Sequence, residues 1–230
     1  MHNDRRRSLK GFTLIELVIV LVIIGMLAAI VVSKLDKVPS EAEDVINQQN
    51  IHELNNFVQM HAAKSGRVPN VMDALTDTQG NLVNGPWVQD AVEPVSSPNQ
   101  ADIDALAALG LTNVHLFNDT TPGGVGVAQS TLARLSTTWK NNNTIELMGE
   151  RLDLPANKNH YLFGLGPYIE TFSNIKPATI CHCPLVKENT PPHYDYYMLL
   201  VEVDPSTQEA EYLGFVDPMF KACTNFVPGQ

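Results

Sequence analysis

The longest uninterrupted hydrophobic pattern in the chain runs from Phe12 to Val32, FTLIELVIVLVIIGMLAAIVV, with Glu16 as its single ionisable side chain. As a helix of 1.5 Å rise per residue it extends about 30 Å, the thickness of a bilayer's hydrocarbon core. A helix packed on a soluble core keeps a polar face, and this one has none, so the pattern predicts a membrane-spanning helix over 12–32. The periodicity then changes. From residue 33 to 65 polar residues dominate, and Ile51, Leu54, Val58 and Ala62 recur at spacings of three and four. That stripe predicts an amphipathic helix lying on something soluble. Pro39 predicts a bend or break near 35–39, and Ser40 with Glu43 three positions later reads as a capping box restarting the helix. Ser65-Gly66 followed by Pro69 ends it.

Residues 66–230 show no repeat and no low-complexity tract. Asp102–Leu109 before Gly110 reads as a short helix, and residues 118–130 and 140–143 as loops. Tyr196–Asp204 and Ala210–Asp217 alternate as strands joined by a five-residue turn, the clearest hairpin in the chain, with weaker strands near 144–148 and 161–165. The expectation is an α+β head built on a modest antiparallel sheet packed against the amphipathic helix.

Charge orients this arrangement. Fifteen basic against 25 acidic residues leave a net charge of −10, which argues against general nucleic-acid binding. The balance is uneven: residues 1–11 carry Arg5, Arg6, Arg7 and Lys10 against Asp4, a local +3, so the rest carries −13. Positive residues before an apolar span stay cytoplasmic, which places the N-terminus inside and everything beyond Val32 outside. The run is longer than a secretory signal core, and Ala28-Ala29 is followed by Ile30-Val31-Val32 rather than a cleavage exit, so the anchor is expected to be retained.

The junction Lys10-Gly11-Phe12-Thr13-Leu14-Ile15-Glu16 resembles the type IV prepilin signature shared by pilins and the pseudopilins of type II secretion. The resemblance covers about the first 30 residues. It implies cleavage between Gly11 and Phe12 by a membrane prepilin peptidase, methylation of the new N-terminal Phe12, and retention of the apolar helix in a mature chain of 219 residues (230 minus 11). It further implies the pilin lollipop: leader 1–11, transmembrane and assembly helix 12–32, amphipathic stalk 33–65 and exported head 66–230. Glu16 would attract the N-terminus of a neighbouring subunit during assembly. The residues themselves agree with that role, because a carboxylate inside an apolar span needs a cationic partner, and the α-ammonium of Phe12 is four residues away on the same helix face. Gly25 and Ala29 form a small-xxx-small pair suited to close helix packing. Many major pilins place a proline a few residues after this glycine, whereas the next proline here is Pro39.

Cys181, Cys183 and Cys223 lie in the part read as exported to an oxidising compartment, where a disulfide is the default. Cys223 with either Cys181 or Cys183 closes a loop of about 40 residues, similar to the C-terminal disulfide loop of type IV pilins. Cys181-His182-Cys183 with Cys223 and His193 reads as a candidate set for zinc or another metal, and Asp204, Glu209 and Glu211 as candidate calcium ligands; a disulfide and a solvated turn are the simpler accounts, and no metal or cofactor is expected. No HExxH, GxSxG or phosphate-cradling loop with lysine occurs, and the histidines are scattered, so no catalytic residue is assigned and an enzyme is not expected. The expectation is a structural subunit of a type IV pilus-like filament. Its partners would be the prepilin peptidase/methyltransferase, other pilin-like subunits, an inner-membrane assembly platform and the membrane itself, with no nucleic acid. The alternative is a minor pilin or type II secretion pseudopilin whose head acts as a binding or adhesion module.

Overall fold

A computed structural model describes residues 17–22, 38–85, 91–121, 123–143, 145–147, 150–166, 194, 196–218 and 220. The chain divides into two units, Met1–Ala42 and Glu43–Gln230. In the first, residues 17–22 are helical, and Leu17, Val18, Ile19, Val20, Leu21 and Val22 are each between 44% and 60% exposed. Among the described residues no helix is both long and apolar enough to cross a membrane; most of the apolar run 12–32 lies outside them.

The long helix α1 spans Val38–Ser65. Pro39 and Ser40 sit inside its first turn, so the capping box expected at Ser40 does not start the helix; a proline there forfeits no intrahelical bond. Its end is as expected: Gly66 takes φ 74° and donates its amide to the Ala62 carbonyl at 2.8 Å. The expected stripe is the buried one, with Ile51 and Leu54 nearly inaccessible and Val58 fully so.

The second unit holds ten short strands, eight in one sheet and two in a separate hairpin. In chain order these are β1 Met72–Asp77, β2 Val92–Val95, helix α2 Gln100–Leu109, β3 Asn113–Phe117, β4 Val125–Gly126, β5 Leu132–Leu135, helix α3 Thr137–Asn142, β6 Ile145–Leu147, β7 Glu150–Leu152, β8 Asn159–Gly164, β9 Met198–Asp204 and β10 Glu209–Val216. The main sheet runs β10-β9-β8-β1-β3-β4, while β6 and β7 form a separate hairpin. Strand β8 forks the sheet: it pairs β9 along one edge, and on the other it meets β5 at Tyr161 and Leu162 but β1 at Gly164. β2 extends the β5 wing.

The expectation of a purely antiparallel sheet is corrected here. β1 and β3 are parallel, in register at Met72↔Val114 and Asp73↔His115, and the connection between them passes through α2. A parallel pair needs such a crossover, whereas β9–β10 closes through a tight turn. The reading of 140–143 as a loop is also corrected. Residues Lys140–Asn142 belong to α3, and Asn142 and Asn143 turn their side-chain amides back onto the carbonyls of Thr138 and Trp139, ending the helix with the residues that suggested a loop. Within the expected loop 118–130, Val125–Gly126 pairs with β3 and Val127–Gln129 forms a 3-10 turn.

Both sheet faces are covered. Tyr161, Phe163, Tyr197, Leu199, Val201 and Phe215 face a core shared with Ile51, Leu54 and Val58 of α1 and Ala105 and Leu106 of α2. The alternating residues Leu162, Met198, Leu200 and Val216 face a second core with Trp139 of α3 and Ile145 and Leu147 of β6. Strands buried on both sides lose the polar alternation that marks a half-solvated strand. The mixed α+β class stands, with two apolar layers where one was expected.

Candidate functional site: the methylation motif and the polar clusters of the head

Gly11, Phe12, Glu16, Gly25, Ala29, Cys181, Cys183 and Cys223 all lie outside the described residues. What is described of the N-terminal segment is the helical run 17–22 immediately after Glu16, apolar and exposed on all six side chains. Six adjacent half-exposed aliphatic side chains are a surface that water does not tolerate singly folded; it needs lipid or another protein.

The head contributes a different feature. Between Ala42 and Ala63 the fully exposed side chains of α1 are Ala42, Val45, Ile46, Gln48, Gln49, His52, Asn56, Gln59, Met60 and Ala63. None is Asp, Glu, Lys or Arg, although solvated helix faces are ordinarily rich in them.

On the opposite side, α1 is bolted to the sheet by asparagines. The Asn47 carbonyl oxygen accepts from the Tyr197 hydroxyl at 2.8 Å, and its amide donates to the buried Asp217 carboxylate at 3.3 Å. Asn50 donates to the Tyr197 oxygen at 3.3 Å. The Asn55 oxygen accepts from the Phe215 amide at 3.1 Å and from the Tyr212 hydroxyl at 3.2 Å, where the β9–β10 register shifts. The bulge leaves a strand amide without a ladder partner, and α1 supplies the acceptor.

Titratable groups that the sequence scattered come together in two clusters. In the first, Lys140 on α3 donates to the carbonyls of Lys158 (2.7 Å) and Pro155 (3.4 Å) and faces His160 Nδ1 at 3.2 Å. An ammonium donates only, so Nδ1 is an acceptor and Nε2 carries the ring proton, which it gives to Glu202 at 3.1 Å. Lys158 closes the chain on the other Glu202 oxygen at 2.6 Å. Burial first, then the Lys140 charge, pulls the His160 imidazole down to about 4. Burial likewise lowers the Lys140 ammonium. A lysine, imidazole and carboxylate in sequence have the makings of proton relay, but His160 is fully inaccessible and the lysine's three donors are spent on internal acceptors. The arrangement pins the 152–158 loop to β8 and β9.

His160 makes stability depend on acid. Its folded pKa lies below the ordinary imidazole value, so as pH falls from 6.5 to 4 the unfolded chain takes up a proton that the folded chain refuses, and folding stability drops across that window. The loss approaches roughly 3 kcal/mol at the lower end, at about 1.4 kcal/mol per unit. In His160→Gln, an amide can accept from Lys140 and donate to Glu202 without titrating. The variant's urea midpoint is expected to fall less than wild type's between pH 6.5 and 4; parallel declines would remove His160 as the cause.

The second cluster joins β1 to β3. His115 Nδ1 lies 3.0 Å from Asp73 Oδ1, and Nε2 lies 2.5 Å from the Asp119 carbonyl. The hydrogen bond to Asp73 raises the His115 pKa, while burial raises that of Asp73 against the pull of the same bond. Asp204, weighed above as a calcium ligand, spends its Oδ1 on Ser206 and Thr207 of its own turn. Among the described residues no group of three or more His, Cys, Asp or Glu side chains is arranged to hold a metal. Sequence reasoning missed both clusters because the contacts that build them, Lys140 to His160, Lys158 to Glu202 and His115 to Asp73, join residues 20, 44 and 42 positions apart.

Residues 6–32 match the family model described as the prokaryotic N-terminal methylation motif, the signature of type IV pilins and pseudopilins. The match ends at Val32 and does not extend into the head. No curated protein and no solved structure matches the chain.

Proposed function

We propose that the chain is a structural subunit of a type IV pilus-like filament. The match of residues 6–32 to the methylation motif carries this reading. The leader 1–11 is removed by a prepilin peptidase between Gly11 and Phe12, Phe12 is methylated, and the helix 12–32 first anchors the subunit in the inner membrane with its N-terminus cytoplasmic. On assembly that helix exchanges lipid for the helices of neighbouring subunits, Glu16 pairs with an adjacent α-ammonium, and Gly25 and Ala29 let helices approach. The exposed apolar side chains of residues 17–22 support a segment that is never left in water. The exposed Val45, Ile46 and Met60 of α1 support packing that continues into the stalk, although Glu43, Asp44 and Glu53 are partly exposed on the same helix and Lys64 is exposed in its last turn. The buried His160 and its partners Lys140 and Glu202 tie α3, β8 and β9 together, which supports a structural role for that cluster.

A second reading keeps the same processing and makes the chain a minor pilin or type II secretion pseudopilin with a binding head. It is favoured by the spacing from Gly25 to Pro39, unlike many major pilins; the head of about 165 residues favours its minor-subunit form over a major pseudopilin.

Shearing whole cells and pelleting the released filaments tests the assignment. The chain is expected in the pelleted filament fraction. Its confinement to the inner membrane, under conditions where other filaments are recovered, would refute an external filament subunit.

A further inference from the structure

The surroundings of His115 specify its charge by geometry. An imidazole with one ring proton can donate from one nitrogen only. Here Nε2 faces the Asp119 carbonyl, which accepts and never donates, and Nδ1 faces a carboxylate oxygen of Asp73. Asp73 and His115 are register partners in the parallel β1–β3 pair, and both are largely buried. A ring with acceptors at both nitrogens makes both bonds only as the imidazolium.

The second acceptor belongs to the turn after β3. Asn118 takes φ 69°, Asp119 donates its amide to the Leu116 carbonyl, and its carboxylate accepts from the Thr121 amide at 3.0 Å. This turn carries exposed Phe117, Asn118, Thr120 and Thr121. Among the described residues the titratable groups facing the ring are Asp73 from β1 and Asp119 from the turn, with the Tyr194 hydroxyl 3.5 Å from the other Asp73 oxygen. Both acids favour the charged ring.

We propose that His115 is a proton-dependent staple: as imidazolium it ties the exposed 117–121 turn to β1, and on losing a proton it releases the turn. A neutral ring keeps Nδ1–H on the buried anionic Asp73, the stronger acceptor, so the bond to the Asp119 carbonyl is the one lost. The folded pKa lies above the ordinary imidazole value, so the staple is complete below pH 6.5 and comes undone as pH rises through the folded pKa. The exposed surface around Phe117 is therefore firm below pH 6.5 and loosens as pH rises through the folded pKa of the ring.

The test uses the full chain in detergent micelles. Histidine 15N resonances are expected to show both His115 ring nitrogens protonated below pH 6.5. Hydrogen exchange, corrected for its intrinsic pH dependence, is expected to show several-fold loss of protection in 117–121 as the ring titrates, with β8 and β9 unchanged. His115→Gln is expected to abolish that pH dependence. A singly protonated ring at pH 6.5, or protection in 117–121 that ignores the titration, would overturn the proposal. The wild-type 15N titration decides the matter even if His115→Gln fails to fold.

Discussion

Asn55→Ala is expected to destabilise the head by roughly 2–3 kcal/mol, whereas its exposed neighbour Asn56→Ala stays within about 0.5 kcal/mol. Asn55 is 4% exposed and its oxygen takes the Phe215 amide and the Tyr212 hydroxyl at the β10 bulge. Phe215 is fully buried, so no water replaces the lost acceptor, and the desolvation cost of the orphaned amide is felt in full. Alanine also removes the atoms that sit against Gly214, whose φ of 146° lets the strand pass close to α1. Urea unfolding of the unit Glu43–Gln230 checks this through a lower midpoint at unchanged slope. Equal midpoints for the Asn55 and Asn56 variants would mean that the apolar stripe alone holds the helix to the sheet.

Glu16→Leu is the second large effect. The substitution makes the span 12–32 wholly apolar, so membrane insertion is expected to persist or improve. Assembly is expected to fail, because an α-ammonium drawn into a helix bundle would lack its counter-charge. Removing one partner of a buried ion pair costs roughly 3–5 kcal/mol, more than a hundredfold in an equilibrium constant. The ratio of sheared-surface to membrane-bound chain, measured by quantitative immunoblot, is therefore expected to fall by about that factor or more. A ratio equal to wild type's would exclude pairing through Glu16 as the driver of assembly. On the proposed function cleavage precedes assembly, so the variant is expected still to lose residues 1–11, which separates this effect from a processing defect.

The parts of the fold that were legible were those set by local periodicity. Ile51, Leu54 and Val58 announce the buried face of α1, Gly66 its end, and the turn Pro205–Gln208 the β9–β10 hairpin. What escaped depends on distant partners. Asn47, Asn50 and Asn55 bond to Tyr197, Asp217 and Phe215, about 150 to 170 residues on, partners that no local pattern points to. Strand β1 has one β-branched residue, Thr76, between two β-disfavouring aspartates and is interrupted by Leu75 at φ 61°, and pairing with β3 and β8 makes it a strand. Lys140 in a run of asparagines looked like a surface loop, yet it is buried by carbonyls that come from another loop and a histidine that comes from β8. The methylation motif at 6–32 was legible because its residues are contiguous; the His115–Asp73 pair was not, because only the parallel register brings the two together.

The central claim is tested most directly at the new N-terminus. Mass spectrometry of the chain's N-terminal peptide, taken from a sheared cell-surface fraction, is expected to find a peptide beginning at N-methylated Phe12. Recovery of the chain only in membranes, with residues 1–11 still attached, would contradict it.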